Sequence, residues 1–386
     1  MNQKSRYDKA VSFYSISMLL LPILFQYSTG VSTITIGDVL LFISLIYLVI
    51  AQKGKIIIKP ILVLFIIYIL IQTLFIKNEV LFTLNTTLRF SFYIICCGLL
   101  FSLKIDSNVI IKYYKAICIL VTTIIIIQTI AYRVFGIVIP GVLQFLKLTD
   151  ESLYNYEYAL YHTNSQRCMS VFGEPSHFAL YVLPCALICL LGSERLSKKN
   201  VLQAGFIILG ILVSTTFTGL LGLFAVILIW LYYYWKNKRI KARTFIVIML
   251  LGILGLLFYQ NSFVGRYLAD GAIYQRQSFG RFDGYTYIAE LKSSTIELLL
   301  GHGMNDTGRS KGVYLAGWAR MIYYYGFIGS FIYVWTLLAF RKKHSLSLGV
   351  MLLLFVLSIG TEVNFSPFLV VYILLVQAAD TYKESG

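Results

Sequence analysis

Three ionisable residues that could act on a phosphorylated substrate lie within eleven positions: Arg167, Glu174 and His177. An arginine binds phosphate through a planar fork of donors. A carboxylate or an imidazole can accept a proton from a reacting hydroxyl. The same residues fit a simpler interpretation, in which Glu174-Pro175-Ser176 is only a charged helix start and Arg167 contacts lipid headgroups. Both interpretations remain open at this point.

A second polar stretch, further along the chain, contains three arginines, an aspartate and a histidine. They are Arg266, Arg276, Arg281, Asp283 and His302. An anionic substrate would explain the arginines, and a solvated loop with local Arg–Asp pairs would explain them as well. His302 lies between two glycines, which is more typical of a turn residue than of a catalytic base. No His, Cys, Asp or Glu cluster has metal-ligand spacing, so the sequence predicts neither a metal nor a cofactor.

A few polar residues interrupt long apolar runs: Arg89, Gln128, Arg320, Glu362 and Asn364. Ionisable groups are costly inside a bilayer and tend to be functional there. Those near the end of a run can extend towards water. Arg320 lies a few residues inside its run and therefore needs a partner or a wet cavity.

The elements that position these residues follow from the composition. The 386-residue chain is 58% hydrophobic and 13% charged, with a mean hydropathy of +0.78. A helix that crosses the ~30 Å hydrocarbon core needs about 20 apolar residues, and such runs recur along the chain. The sequence thus predicts an all-α, polytopic bundle of transmembrane helices that forms a single domain over residues 1–386.

About twelve spans are predicted, with boundaries uncertain by a few residues. They are 11–27, 36–51, 58–76, 86–103, 109–134, 176–192, 201–216, 218–235, 244–262, 317–340, 346–360 and 363–379.

The basic residues predict the orientation. When the N-terminal side is assigned to the cytoplasm, the connections on that side carry the whole net charge of +16. This asymmetry is typical of cytoplasmic loops in a cytoplasmic (inner) membrane, and it gives no indication of nucleic-acid binding. Both termini are then cytoplasmic, and the site is extracytoplasmic, where nucleotides are unavailable as an energy source.

Two of the predicted outer connections are long, roughly 135–175 and 263–316. Apolar and aromatic side chains recur in both, including Leu143, Phe145, Leu146 and Leu148 in the first and Tyr285, Ile288 and Leu291 in the second. We expect short amphipathic helices in both loops, at the membrane surface.

Four local motifs occur in a characteristic order: Phe172–Ala179 after Arg167, Ser214–Leu221, Gly280–Tyr285 followed by Leu299–Gly303, and Tyr325–Gly329. They resemble motifs of the Wzy-type O-antigen and capsular or exopolysaccharide polymerases and, more distantly, of the O-antigen ligases. Their order and spacing match over roughly 160–335, whereas the first 130 residues match only in having several spans. The ligases commonly have a His-Asn pair that is absent from the segment 311–316, which disfavours the ligase assignment.

The resemblance implies a glycosyltransferase that polymerises polyprenyl-diphosphate-linked repeat units, such as undecaprenyl diphosphate oligosaccharides, on the outer leaflet. It implies no cofactor. The partners that it implies are the bilayer, a chain-length regulator and a flippase. On this basis Arg167 and Arg281 are predicted to hold the diphosphate, with Arg276 in support. Glu174 is the predicted catalytic base, and His302 or His177 is the alternative base. Further supporting residues are Arg266, Asp283 and Arg320.

Other classes remain possible on sequence alone. A lipid-linked oligosaccharide flippase or another secondary transporter would also have about twelve spans. Against transport, the two halves of the chain look different, and polar residues gather at the outer face rather than at the midplane. A ligase, a cell-wall glycan polymerase or a sugar acyltransferase is a further alternative. An acyltransferase usually has a histidine in an early loop, and the first 130 residues contain none.

Overall fold

A computed structural model describes residues 3–31, 34–52, 57–75, 80–143, 145–153, 157, 167–192, 197–236, 283–289, 294–303 and 315–382. Within these ranges the regular structure is helical, and the extended residues form only isolated bridges. The helices are α1 (Gln3–Leu24), α2 (Ile36–Ala51), α3 (Pro60–Phe75), α4 (Val80–Leu99), α5 (Ser107–Phe135), α6 (Pro175–Leu191), α7 (Lys198–Val213), α8 (Phe217–Lys236), α9 (Thr295–Leu300), α10 (Gly317–Ala339), α11 (Ser345–Leu357) and α12 (Phe368–Ala378).

Helices occupy the predicted apolar segments throughout the described part of the chain, which confirms the all-helical class. The predicted span 244–262 lies outside the described residues. Among the described residues, four helices are long and apolar enough to cross a membrane: Leu84–Ser102, Ser107–Phe135, Phe217–Lys236 and Gly317–Ala339. Five further apolar helices among these residues have only 10–17 residues, so the total number of crossings stays a prediction.

The contacts between residues divide the chain into two compact units. The first consists of Met1–Tyr114, Leu146–Thr149 and Gly280–Tyr382, and the second of Lys115–Phe145, Asp150–Phe279 and Lys383–Gly386. Each unit has its own buried core.

Aromatic side chains fill much of the core of the first unit. The ring of Phe65 on α3 lies 5.3 Å from that of Tyr333 on α10, and Phe90 on α4 lies 6.0 Å from Phe65. Such tilted and edge-to-face pairs add stability beyond the area that they bury. They hold α3, α4 and α10 together.

The second unit is built around α6, which packs against α7 and α8. Small residues allow this close approach, as is common between membrane helices. A Cβ atom on Gly222 of α8 would lie 2.1 Å from a methyl of Leu183 on α6, and one on Gly210 of α7 would lie 3.3 Å from the ring of Phe178 on α6. Larger residues at these glycines would push the helices apart.

The first long loop agrees with its prediction only in part, because residues 152, 153 and 157 are helical whereas the apolar stretch before them is not. Residues 145–149 form a turn and an isolated bridge instead of the expected amphipathic helix. The reason is competition for backbone hydrogen bonds: Ser28 N–H donates to Lys147 O at 2.8 Å, and Thr149 N–H donates to Gln26 O at 2.9 Å. In the second loop, 283–289 and α9 are helical.

Candidate functional site

Glu174 occupies the N-cap position of α6 but does not cap the helix with its side chain. Its backbone is extended (φ −149°, ψ 149°), Pro175 follows at the first helical position, and no helix N–H binds its carboxylate. The carboxylate instead accepts a hydrogen bond from Ser176 Oγ at 2.8 Å. It therefore stays available near the positive end of the helix dipole, which weakens the interpretation of Glu174 as a simple cap.

The segment that leads into α6 is fixed against α5. Ser170 has a left-handed backbone (φ 56°), and the Gln128 amide binds both sides of it. Ser170 N–H donates to Gln128 Oε1 at 2.9 Å, and Gln128 Nε2 donates to Ser170 O at 3.2 Å. This contact explains the buried polar Gln128 that the sequence left without a role, and it holds the chain between Arg167 and Glu174.

The other two predicted residues of this stretch lie in the same unit. Arg167 is buried, with 7% of its surface exposed. His177 is half-buried in the first turn of α6, where its backbone N–H donates to Glu174 O at 3.1 Å. The structure thus places all three predicted residues of the first stretch at or just before the start of α6.

Glu157 is a buried acid of this loop that sequence reasoning missed. It is 3% exposed, and its Oε1 accepts the Gly141 N–H at 2.7 Å. Burial raises the pKa of its carboxyl from 4.5 to about 6, although backbone N–H groups of Gly141 and Val142 partly offset the rise. No motif surrounds it in the sequence.

The polar hairpin predicted at Ser214–Leu221 joins α7 to α8 within the second unit. Thr216 Oγ1 caps α8 by accepting the Gly219 N–H at 3.0 Å, and Ser214 Oγ donates to Ile211 O at 2.6 Å. Both side chains are at most 2% exposed. The hydroxyls thus satisfy helix ends, which gives this motif a structural role.

In the first unit, α10 is broken at Gly326, which has φ 64° and ψ −172°. The break frees carbonyl groups of the preceding turn, and the segment after α9 binds them. His302 N–H donates to Tyr323 O at 2.8 Å, and Gly303 N–H donates to Tyr324 O at 2.9 Å. Gly326 and His302 thus belong to two motifs that the sequence lists separately but that the fold brings together.

Side chains of α3 also donate hydrogen bonds to carbonyl oxygens at this break. Tyr68 Oη donates to Tyr325 O at 2.8 Å. Gln72 Nε2 donates to Tyr324 O at 2.6 Å and also to Leu300 O. Non-helical backbone is tolerated at membrane depth only when other groups bind its polar atoms in this way.

His302 has mainly a structural environment. Its backbone binds Tyr323, and its ring lies 4.6 Å from the ring of the same tyrosine, tilted by 37°. These contacts favour the turn interpretation over a catalytic role. Gly301 ends α9 with φ 83°, a positive angle that glycine adopts readily.

Arg320 forms an ion pair, as predicted for an arginine inside an apolar run. Its Nη2 lies 2.7 Å from Glu362 Oε1, and its Nε donates to Leu315 O at 2.9 Å. The guanidinium carbon also lies 5.9 Å from the centre of the Tyr324 ring and 5.8 Å from that of Phe365.

Of the remaining predicted site residues, the described ranges include Asp283. Asp283 is exposed at the start of the helical segment 283–289. That segment is attached to the first unit by Tyr285 Oη, which donates to Ile359 O at 2.7 Å. Three of the predicted arginines lie outside the described residues: Arg266, Arg276 and Arg281. Among described residues, no group of three His, Cys, Asp or Glu side chains could hold a metal ion.

These apolar helices define an integral membrane protein. Comparison with family models gives the more specific assignment, because the model of the WcaD colanic acid polymerase matches residues 16–276. The chain belongs to this family and is a polysaccharide polymerase of the glycosyltransferase type. No curated protein matches it.

The family match confirms the predicted resemblance to polysaccharide polymerases and extends it to the N-terminal helices, where the motifs gave no support. It includes Arg167, Glu174 and His177 and ends before Arg281 and His302. It also favours a polymerase over a transporter.

Proposed function

We propose that the chain joins oligosaccharide repeat units, carried on a polyprenyl diphosphate such as undecaprenyl diphosphate, into a surface polysaccharide. The reaction takes place at the outer face of the cytoplasmic membrane, and the product is a capsule, an exopolysaccharide or an O-antigen. The family match supports polymer synthesis, and the distribution of basic residues supports the orientation. Since the inner connections have no glycine-rich phosphate loop, the energy comes from the diphosphate leaving group.

The observation that carries the proposed site is the Glu174 carboxylate, which sits at a helix start without capping it. In the proposed reaction this carboxylate takes the proton from an acceptor hydroxyl. The hydroxyl oxygen forms a bond to the anomeric carbon of the donor glycan. The bond from that carbon to the phosphate oxygen breaks, and its electron pair leaves with the diphosphate.

The leaving diphosphate gains negative charge as this bond breaks, so preorganised cations lower the barrier. Arg167 and Arg281 fill this role in the proposal, with Arg276 in support and Arg266 nearby in the sequence. Arg167 suits it because it is buried just before α6, where water screens its charge less. Arg320 and Asp283 are assigned supporting roles in the first unit.

His177 is the alternative base, since it follows Glu174 by one helical turn. His302 is a weaker alternative because of its contacts with Tyr323. A flippase would supply the repeat units, and a chain-length regulator would set the product size.

Replacing arginine by alanine tests this proposal. Arg167→Ala and Arg281→Ala should insert normally, as judged by a fluorescent C-terminal fusion, yet cells should display single repeat units instead of long polymer. The matched control is Arg133→Ala, an exposed arginine at the end of α5, which should leave the polymer length unchanged. Normal polymer from both Arg167→Ala and Arg281→Ala would refute the site assignment.

A further inference from the structure

A pocket of about 550 Å³ opens beside α2 and α4, and none of the residues that line it has been assigned to the reaction so far. Its walls are mostly apolar: Val39 is 37% exposed, Phe42 53% and Leu88 49%. Large apolar side chains exposed in one groove mark a surface that contacts lipid or a ligand. The lining residues are Ile34, Asp38, Val39, Phe42, Asn85, Leu88, Arg89 and Phe92.

One end of this pocket is charged and built around Asp38. The carboxylate accepts hydrogen bonds from Thr35 N–H at 3.1 Å, from Thr35 Oγ1 at 2.9 Å and from Tyr93 Oη at 2.7 Å. It also lies 3.4 Å from Arg89 Nε. The neutral donors fix the position of the carboxylate, which in turn orients the arginine and offsets much of its charge.

Two contacts hold the side chain of Arg89. Its Nε pairs with the Asp38 carboxylate, and its guanidinium carbon lies 5.3 Å from the centre of the Phe25 ring. In the part of the chain that the structure describes, its two terminal nitrogens make no hydrogen bond. The side chain is 27% exposed. An oriented guanidinium with unused donors at the end of an apolar groove is suited to a phosphate that carries a hydrocarbon tail.

We infer that this pocket binds a polyprenyl diphosphate, with the phosphate on Arg89 and Asn85 and the isoprenoid tail between Phe42, Leu88 and Phe92. The inference rests on the proposed function, which needs two lipid-linked molecules at the outer leaflet. The predicted orientation puts the start of α2 and the first half of α4 on that side.

The charge balance of the pocket indicates which of the two molecules it holds. Asp38 offsets much of the charge of Arg89, so the site binds a diphosphate without strongly stabilising a leaving group. Binding that is equal in the ground and transition states lowers KM and leaves kcat unchanged. The pocket thus holds the substrate whose diphosphate stays intact, the acceptor.

Photolabelling of the full chain in phosphatidylcholine nanodiscs tests the binding. The probe is farnesyl diphosphate with a diazirine at the end of its tail, and it should label α2 and α4. Unlabelled polyprenyl phosphate should compete, and phosphatidylglycerol should not. Arg89→Gln should reduce labelling about tenfold, as expected for one lost charge-assisted hydrogen bond, whereas the control Arg133→Gln should label normally.

Leu88→Trp provides a second variant that fills the groove and leaves Asp38 and Arg89 in place. It should also reduce labelling, and it decides the question if Arg89→Gln elutes as an aggregate. Equal labelling of the wild type and of folded Arg89→Gln or Leu88→Trp would overturn the inference. So would equal competition by phosphatidylglycerol, which would make the pocket an ordinary lipid groove.

Kinetics test the acceptor role. Arg89→Gln should raise the KM for lipid-linked repeat units about tenfold and leave kcat unchanged, and a fall in kcat alone would contradict it. Labelling needs no turnover, so it can fail while polymerisation persists. Conversely, a wild-type chain that joins no repeat units would refute the proposed function whatever the labelling shows.

Discussion

Arg320 and Glu362 form an ion pair, with Nη2 2.7 Å from Oε1, that joins the start of α10 to the turn preceding α12. The side chains are 13% and 33% exposed. Partly buried pairs are less screened than surface pairs, and removing one partner leaves a poorly solvated charge. The pair therefore ties two helices of the first unit together.

Breaking this pair should destabilise the protein. In a double-mutant cycle of Arg320→Met and Glu362→Gln, we expect a coupling free energy of about 1–3 kcal/mol, below that of a fully buried pair. The measurement is thermal unfolding of the purified chain in detergent.

The pair between Lys342 and Asp380 is a matched control. Its atoms are 3.9 Å apart and its side chains are 37% and 29% exposed. The same cycle there should give a coupling of less than about 0.5 kcal/mol. Similar couplings for both pairs would show that Arg320 and Glu362 contribute no more than surface charges do.

The break in α10 requires glycine at position 326. Its φ of 64° and ψ of −172° lie in a region that only glycine occupies readily. A Cβ atom there would also lie 2.3 Å from Leu299 O. We expect Gly326→Ala to lower the free energy of unfolding by about 2–3 kcal/mol or more, measured by thermal unfolding in detergent.

Gly205→Ala is the control for this substitution. Gly205 lies within α7, and a Cβ atom there would meet nothing within 4 Å. Alanine should therefore be neutral or stabilise the helix by up to about 1 kcal/mol. An equally small effect at Gly326 would mean that α10 can continue without the break.

The helices were predictable because each one is a continuous apolar run. The predicted segments 36–51 and 317–340 match α2 (Ile36–Ala51) and α10 (Gly317–Ala339) almost residue for residue. The need of Arg320 for a partner was also predictable, from the cost of a charge inside an apolar segment.

Features that depend on contacts between distant segments were not predictable. The turn at residues 145–149 has a helix-like apolar pattern, but hydrogen bonds to Gln26 and Ser28 override it. The break at Gly326 follows from the donors of His302 and Gly303, some twenty residues earlier.

The Asp38–Arg89 pocket was also missed, although one sequence signal was present. Thr35 and Asp38 have the spacing of a capping box, and the structure confirms that box. The sequence does not show that the same carboxylate orients an arginine from α4.

Glu157 should make stability depend on pH. The folded state raises the pKa of its carboxyl from 4.5 to about 6, so folding favours the protonated form. That stabilisation is fully present below about pH 4.5 and is lost as the pH rises through 6. The shift corresponds to about 2 kcal/mol.

Glu157→Gln removes the titration and keeps a carbonyl oxygen for the Gly141 N–H. Relative to the wild type, the variant should therefore gain melting temperature between pH 4.5 and pH 7. Melting curves in detergent at both pH values measure this. Parallel changes in the two proteins would show that another group titrates.

The carboxylate of Glu174 should matter for catalysis and little for stability. Glu174→Gln keeps the size and the contact with Ser176 but cannot take up a proton, and the native side chain does not cap α6. Polymerisation in reconstituted vesicles should slow at least about a hundredfold, with an unfolding free energy within about 0.5 kcal/mol of the wild type. Ser176→Ala is the control, since it removes the hydrogen bond and keeps the base. A Glu174→Gln variant with normal rates would exclude Glu174 as the base, and loss of activity in His177→Gln would then assign the role to the histidine.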